Sequence, residues 1–136
     1  MGAILVPVDG SSQSHEALTY AATLFPDRTL TVLYVTDPVG SELATDEHAA
    51  ITAWLEGQSE SADRILEEAQ GLVDREVTKA TRTGTPWREI VDYAEANDVD
   101  HIVMGSHGRD GTARLLLGSV AELVVRRASV PVTVLN

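Results

Sequence analysis

The residues whose types and spacing could do chemistry lie in one glycine-rich segment of the C-terminal half. It reads Gly-Ser-His-Gly from Gly105 to Gly108, then nine residues, then Gly118-Ser119. The apolar run before it predicts a strand that ends at Gly105, and the pattern after it predicts a helix that starts near Ser119. Glycines let a backbone approach a phosphate closely and adopt positive φ, and the free N–H groups of a helix N-terminus attract anions. The segment therefore predicts a phosphate-binding loop.

Side chains in this segment support the prediction, but simpler explanations compete with it. The Ser119 hydroxyl could bond a phosphate oxygen, and Arg109 and Arg114 could add charge-assisted contacts. Ser119 and Glu122 also have the spacing of a capping box, and glycines can simply form a tight turn. His107 lies inside the loop, where a phosphate contact and a solvated side chain are equally good interpretations.

Two familiar nucleotide motifs are absent. A Walker A loop needs Gly-Lys-Ser/Thr, but the only lysine is Lys79, which lies elsewhere. The dinucleotide motif G-x-G-x-x-G belongs after the first strand, where this chain has Asp9-Gly10-Ser11. The pattern therefore favours a mononucleotide over a dinucleotide.

The rest of the chain predicts the elements that position this loop. Apolar runs that end in turn residues predict five strands, over residues 3–8, 29–35, 76–82, 101–104 and 130–135. Helical spacing of apolar residues predicts four helices, namely one that stops at Pro26, one over 53–73, one that starts at Thr85-Pro86 and one that follows Ser119. The acidic segment 40–50 shows no period and is interpreted as a mobile connection.

This alternation of strands and helices predicts the fold class and the location of a ligand. Right-handed crossovers between the strands would give an α/β fold, with a five-stranded parallel sheet and helices on both faces, Rossmann-like, in one domain over residues 1–136. In such open sheets, ligands bind beyond the C-terminal ends of the strands. That rule places Asp9, Val35, Thr83 and the loop after Gly105 along one edge of the sheet.

Charge and composition restrict the partners. The net charge is −11, from 21 acidic and 10 basic residues. Such a surface repels polyanions, so DNA and RNA binding are disfavoured. The acidity suits either an ordinary solvated surface or a protein of a high-salt cytoplasm. The chain has no cysteine, which excludes disulfides and thiolate chemistry, and it shows no signal peptide or membrane span, so we expect a cytoplasmic protein.

The glycine segment and its flanks resemble the universal stress protein family. The likeness runs from Met104-Gly105 to Val130-Pro131-Val132, and the spacing G-x2-G-x9-G-S is complete. The N-terminal run from Ile4 to Ser11 and the order of strands and helices are also similar, so the likeness covers nearly the whole chain. Members with this motif bind ATP, so the resemblance implies an ATP-binding universal stress protein.

The resemblance also implies which residues surround the nucleotide. Four would lie around adenine and ribose, the last of them against the base: Pro7, Val8, Asp9 and Val35. Six would line the ribose and phosphates: Met104, Gly105, Gly108, Gly118, Ser119 and Val120. We add His107 and Arg109 as candidate phosphate ligands, and we expect Mg²⁺ or Mn²⁺ to accompany ATP. Asp9 has a simpler explanation, because an acidic residue after a strand can merely cap the next helix.

A nucleotide-binding sensor or regulatory module is favoured over an enzyme. Phosphoryl transfer needs a cation cluster, a held metal and a residue that positions the nucleophile, and the sequence shows no such complete set. A slow ATPase or phosphotransfer enzyme on the same site is the alternative. A phospho-receiver domain is disfavoured because Thr83-Gly84 stand where it needs an aspartate, and a flavodoxin because Asp9 would oppose its phosphate. An interaction protein with an empty pocket stays open.

The last apolar run predicts a homodimer. Apolar side chains alternate along residues 130–135, and nothing later in the sequence can cover this strand if it lies at a sheet edge. Pro131 lies near the strand start, so residues 132–135 could form an antiparallel ladder with a second copy. The family resemblance implies the same arrangement, and an internal strand in a monomer is the alternative.

Overall fold

Five parallel strands form one sheet in the computed structural model, which describes residues 2–37, 61–106 and 117–136. The strands are β1 (Ala3–Pro7), β2 (Leu30–Thr36), β3 (Thr78–Thr83), β4 (Val99–Gly105) and β5 (Val132–Leu135). Their order is β3-β2-β1-β4-β5, and every neighbouring pair is parallel. The predicted fold class is therefore confirmed. The order reverses between β1 and β4, which is where open sheets of this kind hold their ligands.

Helices connect these strands and cover both faces of the sheet. They are α1 (Ser12–Leu24), α2 (helical over the described residues 61–71), α3 (Pro86–Ala96) and α4 (Ser119–Arg127). α1 begins where the Ser11 side chain accepts a hydrogen bond from the Ser14 N–H, and α3 begins with Pro86 as predicted. Of the helix predicted over 53–73, residues 53–60 lie outside the described part of the chain, as does the segment 40–50.

Four strands start at different residues from those predicted, and one of them is β2, which starts at Leu30 rather than at residue 29. β3 starts at Thr78 rather than at residue 76, β4 starts at Val99 rather than at His101, and β5 starts at Val132 rather than at residue 130. The ladder between β4 and β5 explains the last difference. The Ile102 N–H donates to the Pro131 carbonyl at 3.0 Å, whereas proline has no N–H to donate in return. Regular pairing therefore begins after Pro131.

The two faces of the sheet bury separate cores. Successive residues of a strand point to opposite faces, so Ile4 and Val6 belong to the core beneath α1 and α2, whereas Leu5 belongs to the core beneath α3 and α4. All three side chains are fully buried. A strand covered on both faces needs apolar residues at every position, which explains the continuous apolar run of β1.

Candidate functional site

A cleft of about 380 Å³ opens beyond the C-terminal ends of β1, β2 and β4. It lies where the strand order reverses, as the position of the predicted loop requires. The turn after β1, the first turn of α3 and the start of α4 contribute the remaining walls. The cleft is thus built from segments that are far apart in the sequence.

One side of the cleft is apolar. It is lined by Val8, Leu33, Val35, Pro86 and Ile90. Val8 extends β1 past its last strand residue, because its N–H donates to the Leu33 carbonyl at 2.9 Å. Val8 and Ile90 line the cleft and are almost completely buried. Apolar walls of this kind hold the flat faces of a ring away from water.

The turn between β1 and α1 lines the cleft with an ordered polar cluster. The Asp9 carboxylate accepts a hydrogen bond from the Ser11 N–H at 2.9 Å, and the Asp9 N–H donates to Ser14 Oγ at 3.4 Å. Gly10 has φ of 85°, which only glycine adopts at little cost. Asp9 therefore shapes the turn, but Ser11 rather than Asp9 is the N-cap of α1. The alternative prediction that Asp9 merely caps the next helix is therefore wrong.

The start of α4 forms the third wall. Gly118 is the N-cap and Ser119 is the first helical residue, so the predicted capping box from Ser119 to Glu122 is wrong by one position. The first intrahelical bond runs from the Glu122 N–H to the Gly118 carbonyl at 3.0 Å. No side chain in the described part of the chain caps this helix, and the N–H groups of Ser119, Val120 and Ala121 precede that first bond. All three residues line the cleft, so the positive end of the helix dipole borders it.

The two described glycines of the predicted loop do not adopt positive φ, contrary to our expectation. Gly118 has φ of −67° and ψ of 161°, which other residues also adopt. Gly105 is required for space instead, because a Cβ there would lie 2.9 Å from the Cβ of Gln13 on α1. Glycine at 105 thus allows the end of β4 to approach the first turn of α1.

Nine of the twelve predicted binding residues line the cleft: Pro7, Val8, Asp9, Val35, Met104, Gly105, Gly118, Ser119 and Val120. The other three, His107, Gly108 and Arg109, lie outside the described residues, as does Arg114. Seven lining residues were not predicted: Ser11, Ser14, Leu33, Pro86, Ile90, Ser106 and Ala121. Ser11 and Ser14 follow β1 directly and could have been found from that position. Pro86 and Ile90 could not have been found in this way, because the sequence of α3 does not indicate which strand of the sheet the helix packs against.

His101 has a different role from the cleft residues. Its Nε2 atom lies 2.8 Å from Thr133 Oγ1, and its ring packs against Phe25 with 5.1 Å between the ring centroids. Burial, and secondly the nearby charge of Arg28, lower the pKa of His101 below 6.5. The neutral imidazole therefore joins β4 to β5.

Among the residues that the structure describes, no helix is long and apolar enough to span a membrane.

Comparisons with known proteins agree with this architecture. The model of the universal stress protein family matches residues 1–136. The universal stress protein MJ0531 of Methanocaldococcus jannaschii is 33% identical over 98% of this chain and 81% of its own length. The structure of UspA from Lactobacillus plantarum superimposes with a TM-score of 0.86 at 27% identity, over 99% of this chain and 97% of that one.

A third relative was solved with a ligand. The universal stress protein from Archaeoglobus fulgidus in complex with dAMP is 26% identical, with a TM-score of 0.58 over 100% of this chain and 98% of that chain. The family model, the curated relative and the solved structures thus agree on one family. This chain belongs to the universal stress protein family.

Proposed function

We propose that the cleft binds an adenine nucleotide, specifically ATP, and that the chain acts as a nucleotide-responsive regulatory module in a stress response. One observation carries this proposal: the N-terminus of α4, which no described side chain caps, borders the same cleft as the apolar side. A helix N-terminus attracts phosphate, and an apolar wall accepts a flat ring, which are the two ends of a nucleotide. The dAMP complex of a similar family member supports adenine as the base.

The proposal assigns a role to each side of the cleft. Val8 and Val35 would hold the adenine ring, with Pro7 and Asp9 near the ribose. The phosphates would lie against the α4 N-terminus, where Ser119 can donate both its N–H and its hydroxyl. From outside the described residues, His107, Gly108 and Arg109 would extend this contact.

A divalent cation would accompany the phosphates. Asp9 is the one ionisable side chain among the described residues that line the cleft. Within the described ranges no group of three or more His, Cys, Asp or Glu side chains could hold a metal. Mg²⁺ commonly binds through one or two carboxylates together with phosphate oxygens, which fits a single aspartate. We therefore propose that Mg²⁺ or Mn²⁺ enters with ATP.

Binding is favoured over catalysis by the composition of the cleft. No arginine, lysine or histidine is found among its described lining residues, whereas phosphoryl transfer needs cations around the transferred group. A slow ATPase remains the second candidate, since Arg109 and Arg114 belong to the same loop. A turnover rate above about 1 s⁻¹, the lower end of ordinary enzymes, would favour that candidate over the regulatory module.

Native mass spectrometry followed by titration calorimetry tests the nucleotide site. We expect an adenine nucleotide to copurify with the protein, or ATP to bind the emptied protein. Gly118→Val should lower the ATP affinity by about a hundredfold or more, because the valine side chain takes the space that the phosphates need. The φ and ψ of Gly118 are accessible to valine, so this variant should still fold.

Gly71→Val is the matched control. Gly71 ends α2 and an added Cβ there would meet no atom within 4 Å, so this variant should bind ATP normally. Wild-type ATP affinity in Gly118→Val would show that the site is assigned wrongly. Absence of any adenine nucleotide binding by the wild-type protein would refute the proposed function.

We also propose a setting for this function. The module would act in the cytoplasm, beside the ATP pool, and the charge of −11 with a single lysine suits a cytoplasm rich in salt. It would act as a homodimer through β5, which is an edge strand with apolar side chains.

A further inference from the structure

Ser106 joins three elements at the side of the cleft that the start of α4 borders. It follows β4 directly and is only 2% exposed. Its N–H donates to the Leu135 carbonyl at 2.7 Å, and its own carbonyl accepts from the Gly118 N–H at 2.7 Å. These are short, strong backbone hydrogen bonds. One residue therefore connects the last residue of β5 to the N-cap of α4.

The Ser106 side chain also makes longer contacts with described residues of α1 and of the C-terminus. Its Oγ lies 3.5 Å from Gln13 Oε1 on α1 and 3.4 Å from Asn136 Oδ1, which follows β5. A hydroxyl has one proton, so it can donate to only one of these oxygens at a time. At such distances each bond orients more than it stabilises. The contacts nevertheless place Ser106 between α1 and the end of β5.

Packing limits how far Ser106 can move. The preceding residue, Gly105, is so close to Gln13 that a single added methyl group would collide with its Cβ. The end of β4 is thus held against α1 on one side and against Leu135 and Asn136 on the other. The Gly118 N–H bonds the Ser106 carbonyl, so the start of α4 is attached to this tightly packed residue.

We propose that Ser106, supported by Asn136, is a positioning residue for the phosphate group of the nucleotide. This inference rests on the proposed function. Ser106 would set where the free N–H groups of α4 lie relative to the phosphates, and it would have no effect on the base. The apolar side of the cleft is formed by β1, β2 and α3, none of which takes part in these bonds.

Titration calorimetry with ATP and with adenosine, on matched variants, tests this role. Ser106→Ala keeps both backbone bonds and removes only the side-chain contacts that hold Ser106 between α1 and Asn136, so it should weaken ATP binding by up to about tenfold. Asn136→Ala removes one of those contacts and should weaken ATP binding by about threefold. Both should bind adenosine as the wild type does. Thr31→Val is the control, since it removes a buried hydroxyl from β2 outside the cleft and should change neither affinity.

Asn136→Ala guards against a folding artefact, because Asn136 is exposed and its removal leaves the buried cores intact. If ATP affinity is unchanged in both variants, or if ATP and adenosine affinities fall equally, Ser106 does not position the phosphates and the inference is wrong while the proposed function stands. If the wild-type protein binds no adenine nucleotide, the inference fails together with the proposed function.

Discussion

The sheet has two edge strands, and β3 and β5 differ in both side chains and surroundings. β3 reads Thr-Lys-Ala-Thr-Arg-Thr, and five of its six residues are exposed. β5 reads Val-Thr-Val-Leu, and all four residues are partly buried. On β5, Val132 and Val134 pack against the core beneath α3 and α4, whereas Leu135 packs against the opposite core. Charged residues on an edge discourage pairing with another chain, so β3 is protected and β5 is not.

The backbone hydrogen bonds show which residues of each edge strand face away from the sheet. The Ile102 N–H bonds the Pro131 carbonyl and the Ser106 N–H bonds the Leu135 carbonyl, so odd-numbered residues of β5 face β4. The backbone groups of Val132 and Val134 therefore point away from the sheet. On β3, the bond from the Gly84 N–H to the Thr36 carbonyl directs Thr81 outward in the same way. The two edges thus offer similar backbone groups with opposite side-chain chemistry.

The largest expected effect tests whether β5 is the interface. Val134→Pro removes an outward-facing N–H but keeps the bonds to β4, so it should convert the proposed homodimer to a folded monomer. Light scattering at micromolar concentration should show twice 14.6 kDa for the wild type and 14.6 kDa for the variant. Thr81→Pro makes the same change on β3 and should leave the dimer intact. A wild-type mass of 14.6 kDa would contradict the interface.

Salt should raise the thermal stability of the protein, because it should stabilise the acidic surface more than it weakens the ion pair of β3. Lys79 Nζ lies 3.4 Å from Glu67 Oε1, and salt weakens such an exposed pair slightly. Salt also screens the self-repulsion of a charge of −11, and this second effect should dominate. We expect the midpoint of thermal unfolding to rise between ~0.1 M and ~2 M KCl. An unchanged or lower midpoint would remove the inference of a high-salt origin.

A smaller effect concerns the side-chain bond that ties β5 to β4. Thr133→Val keeps the shape of the side chain but removes the hydroxyl that bonds His101, and we expect a loss of about 1 kcal/mol in the free energy of unfolding. Thr81→Val on the exposed edge removes a hydroxyl that makes no such bond to the residues the structure describes, and it should cost much less. Urea unfolding of both variants measures the difference, and equal losses would show that the bond contributes little.

The smallest expected effect is the pH dependence of the same contact. The pKa of His101 is lowered in the folded state, chiefly by burial, so the unfolded chain binds the proton more readily. Stability should therefore fall as the pH drops below about 6.5, and it should be independent of His101 above about pH 7.5. His101→Gln, which can still bond Thr133, should lose this part of the pH dependence. Identical pH profiles for variant and wild type would exclude the mechanism.

Much of the fold was predictable because its signals are local. The apolar runs, Pro26 after α1 and Thr85-Pro86 before α3 mark strands and helices wherever the chain folds. Exact ends were less predictable. The start of α4 illustrates the reason. Ser119 and Glu122 have the spacing of a capping box, which predicts Ser119 as the N-cap. In the structure the N-cap is Gly118, whose N–H bonds the carbonyl of the distant residue Ser106.

The amino-acid sequence by itself determined that this protein alternates strands and helices, that it carries a glycine-rich segment between a strand and a helix, and that its surface is acidic. The first two properties depend on the order of neighbouring residues, and the third depends on composition alone. Only the tertiary structure decided that Pro86 and Ile90 face the same cleft as Asp9, that β5 lies at an edge, and that Ser106 joins β5 to α4. Those facts depend on which distant segments pack together, because strand order and helix placement minimise the free energy of the whole core rather than of any one segment.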